Sequence, residues 1–383
     1  MEVTRELVED VAAELGINEP SLVEKDFHVV QALSLLADHH SPNFELVFAG
    51  GTCLSKIFAS LQRMSEDVDL KVLLTEQGRQ LRRSALRREL SALKHDLRDL
   101  FEGGEFTVSR EAALNENHFI EFELIYPAIF DVIDALRPNI KIELTLCDYK
   151  CDREDKTITS LIAKVMNNAP EVGSFSCIDV IHTSAEKLVS LLRRTAASLR
   201  GINEWADDAL IRHLYDLHII NTETPLGAEF VRLVHKTVIA DGEQFANKHR
   251  EFLDAPKGEL RSALAALNNQ NEYRKKYEQF LGPLVYSKNK PTFEKGSSTL
   301  NSLAEKVWGA EILPRSNSDL VPRADMSCWS FSLRDLAGGK YQGIAEKINT
   351  NGTITRVYGH IASQRKISLE ETKSLISRIG DNV

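Results

Sequence analysis

Between Phe44 and Leu74 the chain passes from a short apolar run through two adjacent glycines into a brief helical pattern, and then into an alternating segment that carries two aspartates. Phe44–Ala49 reads as a strand, and Gly50-Gly51-Thr52 lets the backbone turn tightly at its end. Leu54, Ile57, Phe58 and Leu61 then suggest a short helix. Asp67–Leu74 has period two, with Val68, Leu70 and Val72 on one face and Asp67, Asp69 and Lys71 on the other.

The chemistry of these parts belongs together. Carboxylates on alternate strand residues project from one face about 6–7 Å apart. That suits oxygen-liganded Mg²⁺ bridged by nucleotide phosphates, so Asp67 and Asp69 are expected as metal ligands. The glycines allow close approach of phosphate, and the helix N-terminus adds its dipole and unpaired N–H groups. Gly50, Gly51, Thr52 and Ser55 are expected to cradle a nucleoside triphosphate, with Lys56 and Arg63 neutralising its charge. Asn139–Leu146 also alternates, placing Lys141, Glu143 and Thr145 opposite Ile140, Ile142, Leu144 and Leu146. Glu143 is the candidate third carboxylate, completing the metal shell or deprotonating an attacking hydroxyl. The competing reading of each part is plain: a tight turn, a solvated strand edge and an exposed sheet glutamate.

Further helices are expected over 2–15, 20–38 and 78–102, with Gly16 stopping the first, and further strands over 106–109 and 118–125. After Ser184 the pattern is helical almost to Leu281. The switch from mixed α/β to α suggests a catalytic domain over 1–182 and a helical domain over 183–310 that completes the cleft, followed by a linker and small C-terminal module over 311–383. Prolines, glycine and serines mark part of 287–325 as linker, and Tyr341–Ile348, Thr355–Ser363 and Ser368–Ile379 carry short helical patterns.

A net charge of −9 excludes a global basic field for nucleic acid, so any such contact needs local patches. Arg79, Arg83 and Arg87 line one face of the 78–102 helix, and Tyr273-Arg-Lys-Lys-Tyr277 puts aromatics beside charge. The first reads as an RNA contact or, more readily, as an ordinary solvated face, and the second as an RNA contact or as amphipathic packing. Five scattered cysteines, with only Cys147 and Cys151 at close spacing, argue against a zinc site and fit a reducing cytoplasm. The N-terminus lacks a signal-peptide core, and no apolar run is long enough to span a membrane. Trp205-Ala-Asp-Asp208 reads as a helix cap and His39-His40 as loop. Gly338-Gly339-Lys340 is only superficially a phosphate loop, since no strand is expected before it.

Phe48-Ala-Gly-Gly-Thr-Cys-Leu-Ser-Lys56 followed by Arg63-Met-Ser-Glu-Asp-Val-Asp-Leu70 closely resembles the first motif of the AbiEii/AbiGii toxin family, within the DNA polymerase β-like nucleotidyltransferases. Val23-Glu-Lys-Asp-Phe27 resembles the helix preceding that motif. Ser184-Ala-Glu-Lys-Leu188 with Arg193-Arg194 resembles the second motif, and Arg212-His-Leu-Tyr-Asp-Leu217 the third, with His213 in place of its first aspartate. The resemblance implies an α+β nucleotidyltransferase fold, a mixed sheet flanked by helices and followed by a helical domain. It implies that Lys187 contacts nucleotide phosphates and that Asp216 orients Lys187 or the base end of the nucleotide. It further implies a Mg²⁺-dependent toxin of a type IV-like toxin–antitoxin or phage-defence system, adding nucleotides to tRNA and so stopping translation, with a cognate antitoxin encoded nearby. The alternatives are an antibiotic- or protein-modifying transferase, and an inactive binding module that keeps the fold.

Overall fold

The computed structural model describes residues 3–131, 133, 136–147, 152–202 and 207–313, and three strands at 329–335, 340–348 and 354–362. Two helices open the chain, α1 (Arg5–Leu15) and α2 (Pro20–Ala37). Thr4 caps α1 by accepting from the Leu7 N–H, and Gly16 ends it in the left-handed conformation, as expected.

Seven strands form one mixed sheet: β1 (Phe44–Ala49), β2 (Asp67–Leu74), β3 (Thr107–Leu114), β4 (Phe119–Ile125), β5 (Ile140–Cys147), β6 (Arg153–Ile158) and β7 (Val172–Ile178). Their order is β3-β4-β5-β2-β1-β7-β6, with β2–β5 and β1–β7 parallel and the other neighbours antiparallel. Between the strands lie α3 (Gly50–Ile57), α4 (Arg83–Glu102) and the short α5 (Leu161–Val165). The sequence reading missed β6 and β7. Arg153-Glu-Asp-Lys156 in β6 is mostly exposed, so this edge strand carries no apolar alternation.

The period-two pattern sorts the sheet into two faces. Phe44, Leu46, Phe48, Val68, Leu70, Val72, Ile120, Phe122, Ile140 and Ile142 pack with α4 and the second half of α2 in one hydrophobic cluster. The opposite face carries Asp67, Asp69, Lys71, Lys141 and Glu143. Helices α6 (Val180–Leu199), α7 (Arg212–Glu223), α8 (Ala228–Gln244), α9 (Arg250–Asp254), α10 (Pro256–Asn269), α11 (Asn271–Leu284) and α12 (Phe293–Trp308) make a second cluster, joined by α1 and by Leu22, Val23 and Phe27 of α2. Helix α2 therefore packs into both clusters, its first half into the helices and its second half onto the sheet. This mixed sheet with flanking helices and a helical continuation is the expected fold class.

The region read as partly linker is corrected in its centre. Thr292 caps a 16-residue helix there by accepting from Lys295 N–H, and Leu300, Leu303, Ala304 and Val307 bury one face. Gly296, which suggested a loop, instead gives close packing, since a Cβ there would lie 3.0 Å from Leu214 Cγ. The tail is corrected more fundamentally. Tyr341–Ile348 and Thr355–Ala362 belong to an antiparallel meander of β8 (Trp329–Asp335), β9 (Lys340–Ile348) and β10 (Ile354–Ala362), not to helices. Tyr341, Ile344, Ala345 and Ile348 stand at helical spacing, and pairing between neighbouring strands overrides that local pattern. A strand thus precedes Gly338-Gly339-Lys340, but Lys340 opens another strand where a phosphate loop needs a helix. The 368–379 pattern and Trp205 lie outside the described residues, whereas Asp207 does cap, accepting from Ala209 N–H. No described helix is long and apolar enough to cross a membrane.

Members of both basic groups form ion pairs within the chain. Arg83 pairs with Glu116, and Lys94 and Arg98 with Glu111. In the second group Tyr277 is fully buried, while Arg274 meets Glu294 and Lys276 meets Glu272 and Asp208.

Candidate active site

The polar sheet face and the N-terminus of α3 meet beside α6 and α7. β1 pairs with β2 so that Ala49 lies opposite Asp69, and β5 pairs with β2 so that Glu143 lies opposite Asp69 on the other side and Lys141 opposite Asp67. Gly50 follows directly with φ +74°, and a Cβ there would stand 1.9 Å from Asp69 Oδ2. Only glycine permits both that φ and that approach. A Cβ on Gly51 would lie 3.0 Å from Ser65 Oγ, 3.2 Å from an Arg63 guanidinium nitrogen and 3.9 Å from Lys187 Nζ. The α3 N-terminus therefore sits between a carboxylate and an ammonium.

Asp69 feels this crowding. Burial, then the Glu143 and Asp67 carboxylates, push its pKa up to about 7, against the pull of Lys187 and Lys141. Burial, Glu66 and Glu143 also raise Asp67, opposed by Arg137. Asp67 Oδ1 accepts from the Arg137 guanidinium at 2.5 Å, and Glu143 is paired with Lys141, which also reaches Glu121 at 3.0 Å. Among the described residues no three of His, Cys, Asp and Glu stand together as a formed metal cluster. The carboxylates instead hold cationic side chains. Their donor set is all oxygen and excess negative, which suits a hard divalent cation.

The raised Asp69 sets a pH prediction for the metal-free protein. A carboxylate whose folded pKa exceeds its unfolded value favours the fold at low pH, and that contribution is lost as pH rises through about 7. Asp69→Asn should therefore melt higher than wild type at pH 8 in EDTA, with the difference shrinking as pH falls and nearly gone at about pH 4. Equal melting at both values contradicts the crowding.

Lys187 lies on α6 and Asp216 on α7, and the structure brings them together with a residue 153 positions upstream of Asp216. Asp216 is fully buried, accepts from Arg63 Nε at 2.6 Å and Nη2 at 2.7 Å, and accepts from Lys187 Nζ at 2.8 Å. Burial alone would raise its pKa, but Arg63 and Lys187 hold it well below the usual carboxylate range. The Arg63 segment is further strapped to the helical half by Met64 N–H to Leu284 O, Tyr286 N–H to Gln62 O and Tyr215 OH to Leu61 O. Arg63 is thus committed to Asp216 rather than directed outward. Lys56 is likewise committed, at 2.5 Å from Asp26. Thr52 donates to the Asp67 carbonyl, and Ser55 donates to the Thr52 carbonyl within its own helix. His213 sits beside Lys187, and burial with that neighbour lowers its pKa well below the ordinary value, so it is neutral at pH 7 where the motif has an acid.

A second group was noticed in the sequence only as the helix preceding the first motif, with no role for its residues. Glu24, Lys25 and Asp26 on α2 are all buried, and each fastens a different loop. Glu24 accepts from the Ile129 and Phe130 N–H groups. Asp26 accepts from Lys56 and from Leu161 N–H. Lys25 pairs with Glu66 at 2.5 Å and donates to Arg137 O at 2.6 Å, while Glu66 accepts from Arg137 N–H at 2.9 Å. Arg137 therefore has a fixed backbone and a half-exposed side chain. An exposed pair such as Arg137–Asp67 contributes only about 0–1 kcal/mol, so it exchanges readily.

A family model described as "Nucleotidyl transferase AbiEii toxin, Type IV TA system" matches residues 34–297, well over half the chain. No curated protein matches it.

Proposed function

Because the chain belongs to the AbiEii family of nucleotidyl transferase toxins of type IV toxin–antitoxin systems, we propose that its cleft moves a nucleoside monophosphate from a nucleoside triphosphate to an acceptor hydroxyl. The observation that carries this reading is Gly50 seated on Asp69, with Glu143 in register behind it and Lys187 beside Gly51. That arrangement sets a phosphate-binding helix terminus against a carboxylate cluster.

Asp67, Asp69 and Glu143 would hold Mg²⁺, which when bound supplies charge neutralisation at the phosphates. The α3 N–H groups and the Lys187 ammonium then orient the polyphosphate. Asp216 and Arg63 hold Lys187 at that position. The acceptor oxygen bonds to the α-phosphorus, its proton passing to a carboxylate such as Glu143. The bond from the α-phosphorus to the β-bridging oxygen breaks, and pyrophosphate leaves. Most of the catalysis asked of the protein is positioning and charge stabilisation.

We place the acceptor on tRNA, consistent with a toxin that stops translation and has an antitoxin as its counterpart. Incubation with each α-labelled nucleoside triphosphate in the presence of purified tRNA, aminoglycosides or cell protein should label tRNA. Label on an aminoglycoside or a protein instead overturns the acceptor while keeping the reaction.

A further inference from the structure

We propose that Arg137 is a substrate-binding arm, whose guanidinium leaves Asp67 to grip the polyphosphate of the incoming nucleoside triphosphate; this rests on the nucleotidyl-transfer reading above. The root of the arm is built. A wholly buried lysine, Lys25, and the buried Glu66 form an ion pair whose remaining hydrogen bonds go to the carbonyl and the N–H of this one residue. Buried charge is costly to place, and here it fastens the backbone of a side chain that points outward.

The tip is loose by contrast. The Arg137 side chain is 49% exposed and rests on Asp67, itself 38% exposed. It also borders an open cleft of about 360 Å³ lined by Arg110, Glu121, Glu123, Asn139 and Lys141, so one side of the guanidinium is not packed. Its present partner is the carboxylate that a divalent cation would take. A guanidinium displaced from a carboxylate finds the same two-oxygen geometry on a phosphate. Of the other cations nearby, Arg63 is held by Asp216, Lys56 by Asp26, Lys71 by Glu186 and Lys141 by Glu121, while Lys187 shares Asp216 and stands beside Gly51.

This arrangement gives Arg137 two effects of opposite sign. Without nucleotide it competes with the cation for Asp67, and with nucleotide it adds a charge-assisted contact. We would measure Mn²⁺ binding alone, and Mn²⁺-dependent binding of the four α,β-methylene nucleoside triphosphates, on the full chain. Arg137→Gln should bind Mn²⁺ alone more tightly and the bound analogue about tenfold more weakly, the loss expected for one charged hydrogen bond. Arg137→Lys should recover part of the analogue affinity. An unchanged analogue affinity, or a loss of both affinities, overturns the arm and leaves transfer intact. Wild-type protein that binds Mn²⁺ but none of the analogues overturns the nucleotidyl-transfer reading, and the arm with it.

Discussion

Asp69→Asn should lower nucleotidyl transfer by roughly a thousandfold or more, the scale set by removing one preorganised charge-stabilising group. The side chain is isosteric, so Gly50 keeps its seat and the sheet register is undisturbed. The loss would fall on chemistry and not on folding, and the metal-free variant should even be the more stable protein at pH 8. A toxin disabled at Asp69 should cease to arrest growth when expressed without its antitoxin. Timed transfer assays and a growth curve check both points. An Asp69→Asn protein that still arrests growth places the toxic activity elsewhere.

Asp216→Asn carries the largest expected loss of stability. It leaves the Arg63 guanidinium and the Lys187 ammonium adjacent and buried with no anion between them. Removing one partner of a buried pair costs on the order of 3–5 kcal/mol, read as a fall in the urea midpoint. Because Asp216 is held well below the usual carboxylate range, its contribution is full above the ordinary aspartate pKa and is lost as pH falls below it. The gap between wild type and variant should therefore close in acid. An Arg63→Met, Asp216→Leu double variant separates the two roles of the cluster. It should regain only part of the stability, since the stranded guanidinium is gone while the buried Lys187 ammonium still lacks its anion. It should stay poorly active, because Lys187 has lost the carboxylate that positions it.

The alternations of Asp67–Leu74 and Asn139–Leu146 were readable because each strand buries one face, and that pattern marked the polar face on which Asp67, Asp69 and Glu143 lie. What pairs with what was not readable. The parallel register that sets Glu143 opposite Asp69 depends on a connection of more than sixty residues, and the Arg63–Asp216 contact spans the two halves of the chain. Arg63 therefore read as a phosphate ligand when its donors are already taken by a carboxylate. Glu24-Lys25-Asp26 was matched only as part of the helix preceding the first motif, and three adjacent charges on a helix do not by themselves announce burial. They are buried because each meets a loop that ends beside them. Arg137 lies in an irregular segment with no periodicity to mark it. In the tail, apolar residues at helical spacing pointed to helix, and the strand pairing overrode them.

The most direct test of the central claim follows both ends of the triphosphate. The protein is incubated with Mg²⁺, total RNA and a nucleoside triphosphate labelled at the α- or the γ-phosphate. The cleft described above requires α-label to enter the acceptor and γ-label to leave as pyrophosphate, with both signals lost in Asp69→Asn. Label from the γ-phosphate in the acceptor, or α-label transfer that survives Asp69→Asn, would contradict it.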